Sequence, residues 1–169
     1  MTSLDVCEAI ASVITNLWPD RFLYRDFLPE NHKRPSAFLY VTKNSFESAN
    51  LAMVRWELEA QLELFCATDR YDISSTEALR RDQEQVLLAF GGPSLHVGDR
   101  WISVNAQGDG MEVGSAFVLF RASWMDQRPG YRDPNDPDDP VSAKIPKMEQ
   151  FEVNGKRFPT ADETARKET

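Results

Sequence analysis

Residues 54–66 read VRWELEAQLELFC, and this stretch decides the fold because apolar and polar side chains alternate along it. A period of two places alternate side chains on opposite faces of a strand, whereas a helix would spread the same apolar groups around its circumference. We predict a long strand with one buried face, in an antiparallel sheet that something else must cover or extend. The side chains of its solvent-facing side are candidates for a subunit or partner interface: Arg55, Glu57, Glu59, Gln61 and Glu63.

The composition is typical of one globular domain with an appendage. Of the 169 residues, 41% are hydrophobic and 27% are charged. No apolar run is long enough to span a bilayer, and the first residues lack the basic start of a secretory signal, so we expect a protein of the cytosol or assembled from it. The net charge of −8 argues against nucleic-acid binding through the bulk surface. Cys7 and Cys66 lack metal-ligand spacing and are expected as small buried side chains.

Two segments predict helices that lie on the sheet. Residues 3–17 carry apolar side chains at helical spacing, with Ser3 as the expected N-cap. Ser74 and Glu77 have the spacing of a capping box and predict the start of a second helix. Gly91 is expected to end that helix in a left-handed conformation.

Strands are also predicted between the first helix and the long strand. Residues 21–28 are rich in aromatic side chains, and residues 37–41, which read AFLYV, predict a short buried strand. Residues 43–52 fit either a continuation of that second strand or a long loop into residues 54–66.

The second half of the chain predicts a hairpin, a turn and a core strand. Residues 95–104 read as two short strands around Gly98 and Asp99, and residues 105–110 read as a glycine-rich turn. Residues 111–125 are strongly apolar, which predicts a strand buried on both faces in the middle of the sheet. Together these elements predict an α+β fold: a mixed, mainly antiparallel sheet flanked by two helices, with an extended C-terminal arm.

The composition changes at Asp126, which predicts a folded domain over residues 1–126 and a tethered segment over residues 127–169. Residues 128–140 are rich in proline and aspartate, and this composition excludes a helix or a paired strand. A short apolar segment follows, which best fits docking on the same chain or on a neighbour. Its candidate contact residues, with one aromatic residue of the tether, are Tyr131, Ile145, Met148, Phe151 and Val153.

Residues able to carry catalysis or bind a metal are few. His32 and His96 have no partner residue in the sequence, so we interpret both as structural. The glutamates of residues 54–66 have a spacing found between glycosidase carboxylates, but Arg55 shares their face and no cleft is implied. The aspartates of residues 133–139 lack the central glycine of a calcium loop. We therefore predict no catalytic residue, no cofactor and no metal.

Several stretches, taken in the order of the predicted elements, resemble the tail terminator (tail completion) proteins of long-tailed bacteriophages. The likeness spans nearly the whole chain. The stretches are residues 10–17 leading into Trp18 and Pro19, FLYRDFL at residues 22–28, PSAFLYV at residues 35–41, RWELEAQLELF at residues 55–65, and MEQFEVNG at residues 148–155.

The resemblance implies a non-enzymatic virion structural protein. Such proteins form a ring, usually hexameric, that caps the tail tube, ends tail polymerisation and provides the joint to the head connector. The implied partners are further copies of the chain, the tail tube protein and the head-completion or connector protein, with the sheath protein as a further candidate. The resemblance also implies that DNA passes through the lumen without specific binding, that no membrane takes part, and that the virion tail and neck are assembled in the host bacterial cytoplasm.

One feature departs from the pattern of the family. The proline-aspartate tether is longer than the family leads us to expect, and residues 126–158 would form an arm that reaches the next subunit, the tube or the sheath. Two alternative functions stay open at this point. The chain could be another neck or tail-tube component of a phage or contractile injection particle, or a small cytosolic α+β enzyme.

Overall fold

A computed structural model describes most of the chain. It gives residues 1–68 and 75–132 in full and the backbone alone of residues 150–153 and 156–159. The helices and strands of these residues, in chain order, are α1 (Ser3–Leu17), β1 (Phe22–Arg25), β2 (Ser36–Ser48), β3 (Met53–Phe65), α2 (Thr76–Ala89), β4 (Leu95–Val97), β5 (Arg100–Ile102), β6 (Val104–Glu112), β7 (Ser115–Gln127), β8 (Gln150–Val153) and β9 (Lys156–Pro159).

The main sheet has five strands in the order β1-β2-β3-β7-β6. β1 pairs with β2 in parallel, and every other neighbouring pair in this sheet is antiparallel. β4 and β5 form a separate two-stranded sheet, which confirms the hairpin predicted around Gly98. The predicted α+β fold, with a mixed and mainly antiparallel sheet and two helices, is therefore confirmed.

The chain divides into two compact units, Met1–Pro129 and Gly130–Thr169. In the second unit, β8 and β9 pair antiparallel with Val153 opposite Lys156. The predicted contact residues Ile145 and Met148 lie outside the described residues, as does most of the proline-rich tether.

The hydrophobic core lies between the two helices and one face of the main sheet, which we call the inner face. β3 contributes alternate residues to this face, and Leu58, Leu62 and Leu64 are at most 1% exposed. The helices cover them with a stripe at helical spacing that includes Ile10 of α1 and Val86 of α2. Complete burial of one such side chain stabilises the fold by about 1.5–3 kcal/mol. The buried apolar residues of 54–66 therefore contribute a large part of the free energy that stabilises the fold.

Both helices are capped one residue away from the predicted position. The N-cap of α1 is Thr2, whose hydroxyl accepts from the Asp5 amide while the Asp5 carboxylate accepts from the Thr2 amide, so Ser3 is already helical. The N-cap of α2 is Ser75, which accepts from the Ala78 amide. In the parts of the chain that the structure describes, no helix has the length and hydrophobicity that a membrane crossing requires.

Residues 105–110, predicted as a turn, belong to strand β6, and this prediction was wrong. The glycines suggested a turn, but the chain reverses only at residues 113–114, where Gly114 has a φ of 90°. The pairing of β6 with β7 is irregular between Gly108 and Met111. There the Gln83 side chain of α2 donates to the carbonyl oxygens of Asp109 and Phe117, at 3.0 and 2.7 Å, and so pairs groups that the ladder leaves free.

Strand β7 was predicted to be buried on both faces, and this is also wrong. Its exposure alternates, with Phe120 and Val118 buried on the inner face and Leu119 and Arg121 at least partly exposed on the other. Its position inside the sheet, between β3 and β6, agrees with the prediction. The open question about residues 43–52 is resolved, because β2 continues to Ser48 and pairs with β3 along its length.

Candidate functional site: the open face of the sheet

The sheet face opposite the helices is the candidate functional site, and we call it the open face. Cross-strand pairing defines which side chains share it, because residues directly opposite each other point to the same side. Its members on β2, β3, β6 and β7 are Phe38, Tyr40, Lys43, Ser45, Glu47, Arg55, Glu57, Glu59, Gln61, Glu63, Asn105, Gln107, Phe117, Leu119, Arg121, Ser123 and Met125.

The structure brings all five predicted residues of β3 together on this face. Arg55 is exposed, and the other four are half-buried by their cross-strand neighbours. The open face ends at Phe65, which is buried because the loop before β2 covers it. The His32 ring lies 4.5 Å from the Phe65 ring, between centroids, and the Arg34 guanidinium lies 5.1 Å from that centroid.

Charged side chains on one half of the open face are arranged in cross-strand ion pairs. A nitrogen-oxygen distance of 2.9 Å joins Lys43 to Glu57, and one of 3.2 Å joins Arg121 to Glu59. Arg55 lies 3.6 Å from the Glu47 carboxylate. Each pair links β3 to a neighbouring strand, so this half of the face is locally neutral although the chain is acidic.

These ion pairs determine what the glutamates can do chemically. The hydrogen bond from Lys43, together with its positive charge, holds the pKa of Glu57 below its ordinary value. The same hydrogen bond raises the pKa of Lys43. Because Glu57 is therefore ionised and paired near neutral pH, it is poorly suited to act as a general acid beside Glu59.

The other half of the open face is aromatic and apolar, and sequence reasoning missed it. The rings of Phe38 and Tyr40 stack with centroids 4.8 Å apart, and the Tyr40 hydroxyl donates to Gln61 Oε1 at 3.1 Å. Phe117 and Leu119 lie on β7 opposite Glu63 and Gln61, and both are half-buried. Partial burial raises the pKa of Tyr40, and the nearby carboxylates of Glu63 and Glu112 add to this shift.

A signal for the aromatic half was present in the sequence. Residues 37–41 are continuously apolar and predict a buried strand, and residues 117–120 belong to the strand predicted to be buried on both faces. Placing them in register with the alternation of β3 would have assigned Phe38, Tyr40 and Leu119 to the solvent-facing side.

The remaining predicted interface residues belong to the second unit. Tyr131 is half-buried there, and Phe151 and Val153 lie on β8, whose side chains are outside the described part of the structure. That these residues contact another subunit or a partner stays a prediction.

Side chains able to ligate a metal are not clustered among the described residues. Among residues 1–68 and 75–132, no group of three or more His, Cys, Asp or Glu side chains has the geometry to hold a metal ion. His32 packs against Phe65, and the His96 ring lies 4.8 Å from that of Trp101, so both contact aromatic rings. Cys7 and Cys66 are both buried and unpaired by disulfides.

No protein-family model matches the chain, and no curated protein is significantly similar to it.

Proposed function

We propose that the chain is a structural subunit of a bacteriophage virion, without enzymatic activity, that assembles into a ring at the end of the tail tube. The ring, hexameric in the family that the sequence resembles, stops tail polymerisation and provides the joint to the head connector. The protein is assembled in the bacterial cytoplasm and resides in the tail and neck of the virion. Support comes from the order α1-β1-β2-β3-α2-β4-β5-β7, which is the order on which the resemblance was based; strand β6 is an addition to it.

The observation that supports the proposal most is the open face. A central strand of the sheet, β3, leaves one side half-exposed, and an apolar group of Phe38, Tyr40, Phe117 and Leu119 lies there beside ion-paired side chains. A half-buried aromatic centre bordered by polar and charged groups has the composition of a protein interface. In a ring, the same face of every subunit can be covered by a different surface of the next subunit.

Charge supports the proposal independently. A chain with a net charge of −8 repels the phosphate backbone. Affinity for DNA would require Lys and Arg contacts to the phosphates, which release counterions. An acidic ring around the tail lumen lets the genome pass without attachment.

Native mass measurement of the purified chain tests assembly directly. We expect a closed oligomer, with hexamers as the leading species, and ring-shaped particles by negative-stain imaging. A compact monomer at high protein concentration would overturn the proposal and favour the alternative of a small enzyme.

A second experiment separates a terminator from a tail-tube subunit. Gold-labelled protein added to purified tail tubes should be found at tube ends and should stop further elongation. Label distributed along the whole tube, or polymerisation of the chain into tubes of its own, would assign it to the tube instead.

A further inference from the structure

One edge of the main sheet is only partly paired. β1 pairs with β2 from Ser36 to Leu39 and then stops. Asp26 has a φ of 57°, and its amide donates to the Leu39 carbonyl at 3.2 Å, which turns the chain away from the sheet. Among the described residues, no strand pairs with residues 41–48 of β2 on this side. We call residues 41–48 the free edge, and its unpaired backbone groups are a template for an added strand.

Val41 and Phe46 lie on the free edge itself, separated on their face by Asn44, and Leu4 of α1 lies beside Val41; we call these three side chains the apolar strip. Val41 and Phe46 of β2 are 41% and 55% exposed, and Leu4 of α1 is 60% exposed. Between α1 and β2 lies a small cavity of about 130 Å³, lined by Leu4, Cys7 and Val41 among others. A strand added here would therefore gain backbone hydrogen bonds and also bury alternate side chains, which is how extended segments bind sheet edges.

The opposite edge of the sheet is less suitable. The exposed side chains of β6 include Asn105, Gln107 and Asp109, and its pairing is irregular between Gly108 and Met111. Irregular strands and polar side chains protect an edge from pairing. The pairing of β2 with β3 also shifts between Val41 and Lys43, so irregularity alone does not distinguish the two edges. The exposed apolar side chains of Val41 and Phe46, which have no equivalent on β6, make the free edge of β2 the better acceptor.

The β8–β9 hairpin is a two-stranded sheet that a third strand would stabilise. Each of its strands has four residues, and no third strand pairs with it among the described residues. A hairpin of two short strands is marginally stable in water, so it gains most from joining another strand. The 20 residues from 130 to 149 that precede it span up to about 65 Å when extended, enough to reach a neighbouring copy.

Charge favours the same pairing. Residues 144–157 carry four basic and two acidic side chains, a net charge of +2 within an acidic protein. Near the free edge, the Glu8 carboxylate is neutralised by the Arg25 guanidinium, with 2.6 Å between Glu8 Oε1 and Arg25 Nη1. Asp26 lines the same cavity as Val41, forms no ion pair in the described residues and leaves that region negative.

We propose that the free edge of β2 binds the β8–β9 hairpin of a neighbouring copy of the chain as added strands. The inference rests on the proposed ring and identifies one contact that would connect its subunits. The hairpin then provides the missing edge partner, and the apolar strip is covered by side chains of the added strand.

Cross-linking of two full-length variants tests the contact. Ser45→Cys lies on the free edge and Glu152→Cys on β8, and the two variants are mixed before mild oxidation. We expect a disulfide-linked dimer that contains one chain of each kind. The control is Gln107→Cys on β6 mixed with Glu152→Cys, and its yield of disulfide-linked dimer should be at least tenfold lower. That yield should equal the background of the parent chain, whose own cysteines are buried. Equal yields from both mixtures would overturn the proposal.

A second measurement does not depend on oxidation. Val41→Lys and Phe46→Lys place a charge in the apolar strip at exposed positions, and each should raise the concentration needed for half-assembly about tenfold. Leu88→Lys on α2, where the side chain is 80% exposed, is the matched control and should assemble normally. Circular dichroism of each variant verifies that the fold is retained.

The outcomes separate this contact from the proposed function. A ring that forms normally with Val41→Lys and Phe46→Lys, and gives no edge-specific cross-link, overturns the hairpin contact and leaves the ring intact. A wild-type chain that stays monomeric overturns both. A third variant carries both Ser45→Cys and Glu152→Cys in one chain. A disulfide that forms within this double variant, and never between the two mixed single variants, overturns the contact between copies.

Discussion

Arg21 donates two hydrogen bonds to the carboxylate of Asp82, at 2.6 and 3.1 Å, and this pair connects the segment after α1 to the middle of α2. The Arg21 guanidinium also lies 4.2 Å from the centroid of the Trp18 ring, whose Nε1 donates to Gln85 at 3.1 Å. Only 8% of the Asp82 side chain is exposed. The segment after α1 is therefore held against α2 by a largely buried ion pair as well as by apolar packing.

Loss of one partner should destabilise the fold more than loss of both. Arg21→Met leaves the Asp82 carboxylate buried without a cation, and we expect the free energy of unfolding to fall by about 3 kcal/mol. The double variant Arg21→Met with Asp82→Leu buries no charge and should recover most of that loss. Urea denaturation at neutral pH measures both values. The single variant Asp82→Leu completes the cycle. If the losses of unfolding free energy in the two single variants add up to the loss in the double variant, this interpretation is wrong.

The irregular pairing of β6 and β7 should depend on Gln83. Gln83→Glu replaces the amide donor with a carboxylate beside two carbonyl oxygens, so we expect a larger loss of stability than the loss of about 1 kcal/mol for Gln83→Ala. A Cβ at Gly108 would lie 3.2 Å from the Gln83 side chain. Gly108→Ala should therefore destabilise the native chain but cost less in the Gln83→Ala background, as measured by thermal unfolding of the double-mutant cycle.

The sequence was most informative where one strand repeats a simple pattern. The alternation in residues 54–66 predicted the strand, the buried residues such as Leu62, and the shared open face of Glu57 and Gln61, because side-chain direction in a strand follows position alone. The helix over residues 3–17 was predicted for the same reason, since its stripe repeats at helical spacing.

Features that depend on a neighbouring strand were harder to predict. The β6 strand was missed because its glycines resemble a turn, while its stability comes from pairing with β7 and from Gln83, which is distant in sequence. The aromatic half of the open face was missed because a continuous apolar run such as residues 37–41 gives no alternation, and only the register with β3 shows which side is exposed.

The Lys43–Glu57 pair should give a measurable titration on the open face. The pKa of Glu57 is lower in the folded than in the unfolded chain, so its stabilising effect is present above the unfolded-state pKa and is lost as the pH falls through the folded-state pKa. Lys43→Met should return the Glu57 pKa toward its ordinary value, as followed by NMR of the side-chain carboxyl carbon. Arg55→Met, the control, removes a smaller contribution and should raise this pKa less. An unchanged titration in Lys43→Met would exclude Lys43 as the cause.

The open face also predicts which substitutions affect assembly without unfolding the subunit. Leu119→Lys and Phe38→Ser change half-buried positions outside the inner core, so the far-ultraviolet spectrum should stay native and the melting temperature should fall only modestly. If the proposed ring covers this face, both variants should need a protein concentration about tenfold higher for half-assembly, measured by native mass spectrometry or sedimentation. Val113→Lys, at a fully exposed position in the turn between β6 and β7, is the control and should assemble like the parent chain. Normal rings from Leu119→Lys and Phe38→Ser would place the subunit contact elsewhere on the molecule, because a charge or a lost aromatic side chain in a covered apolar patch cannot be neutral.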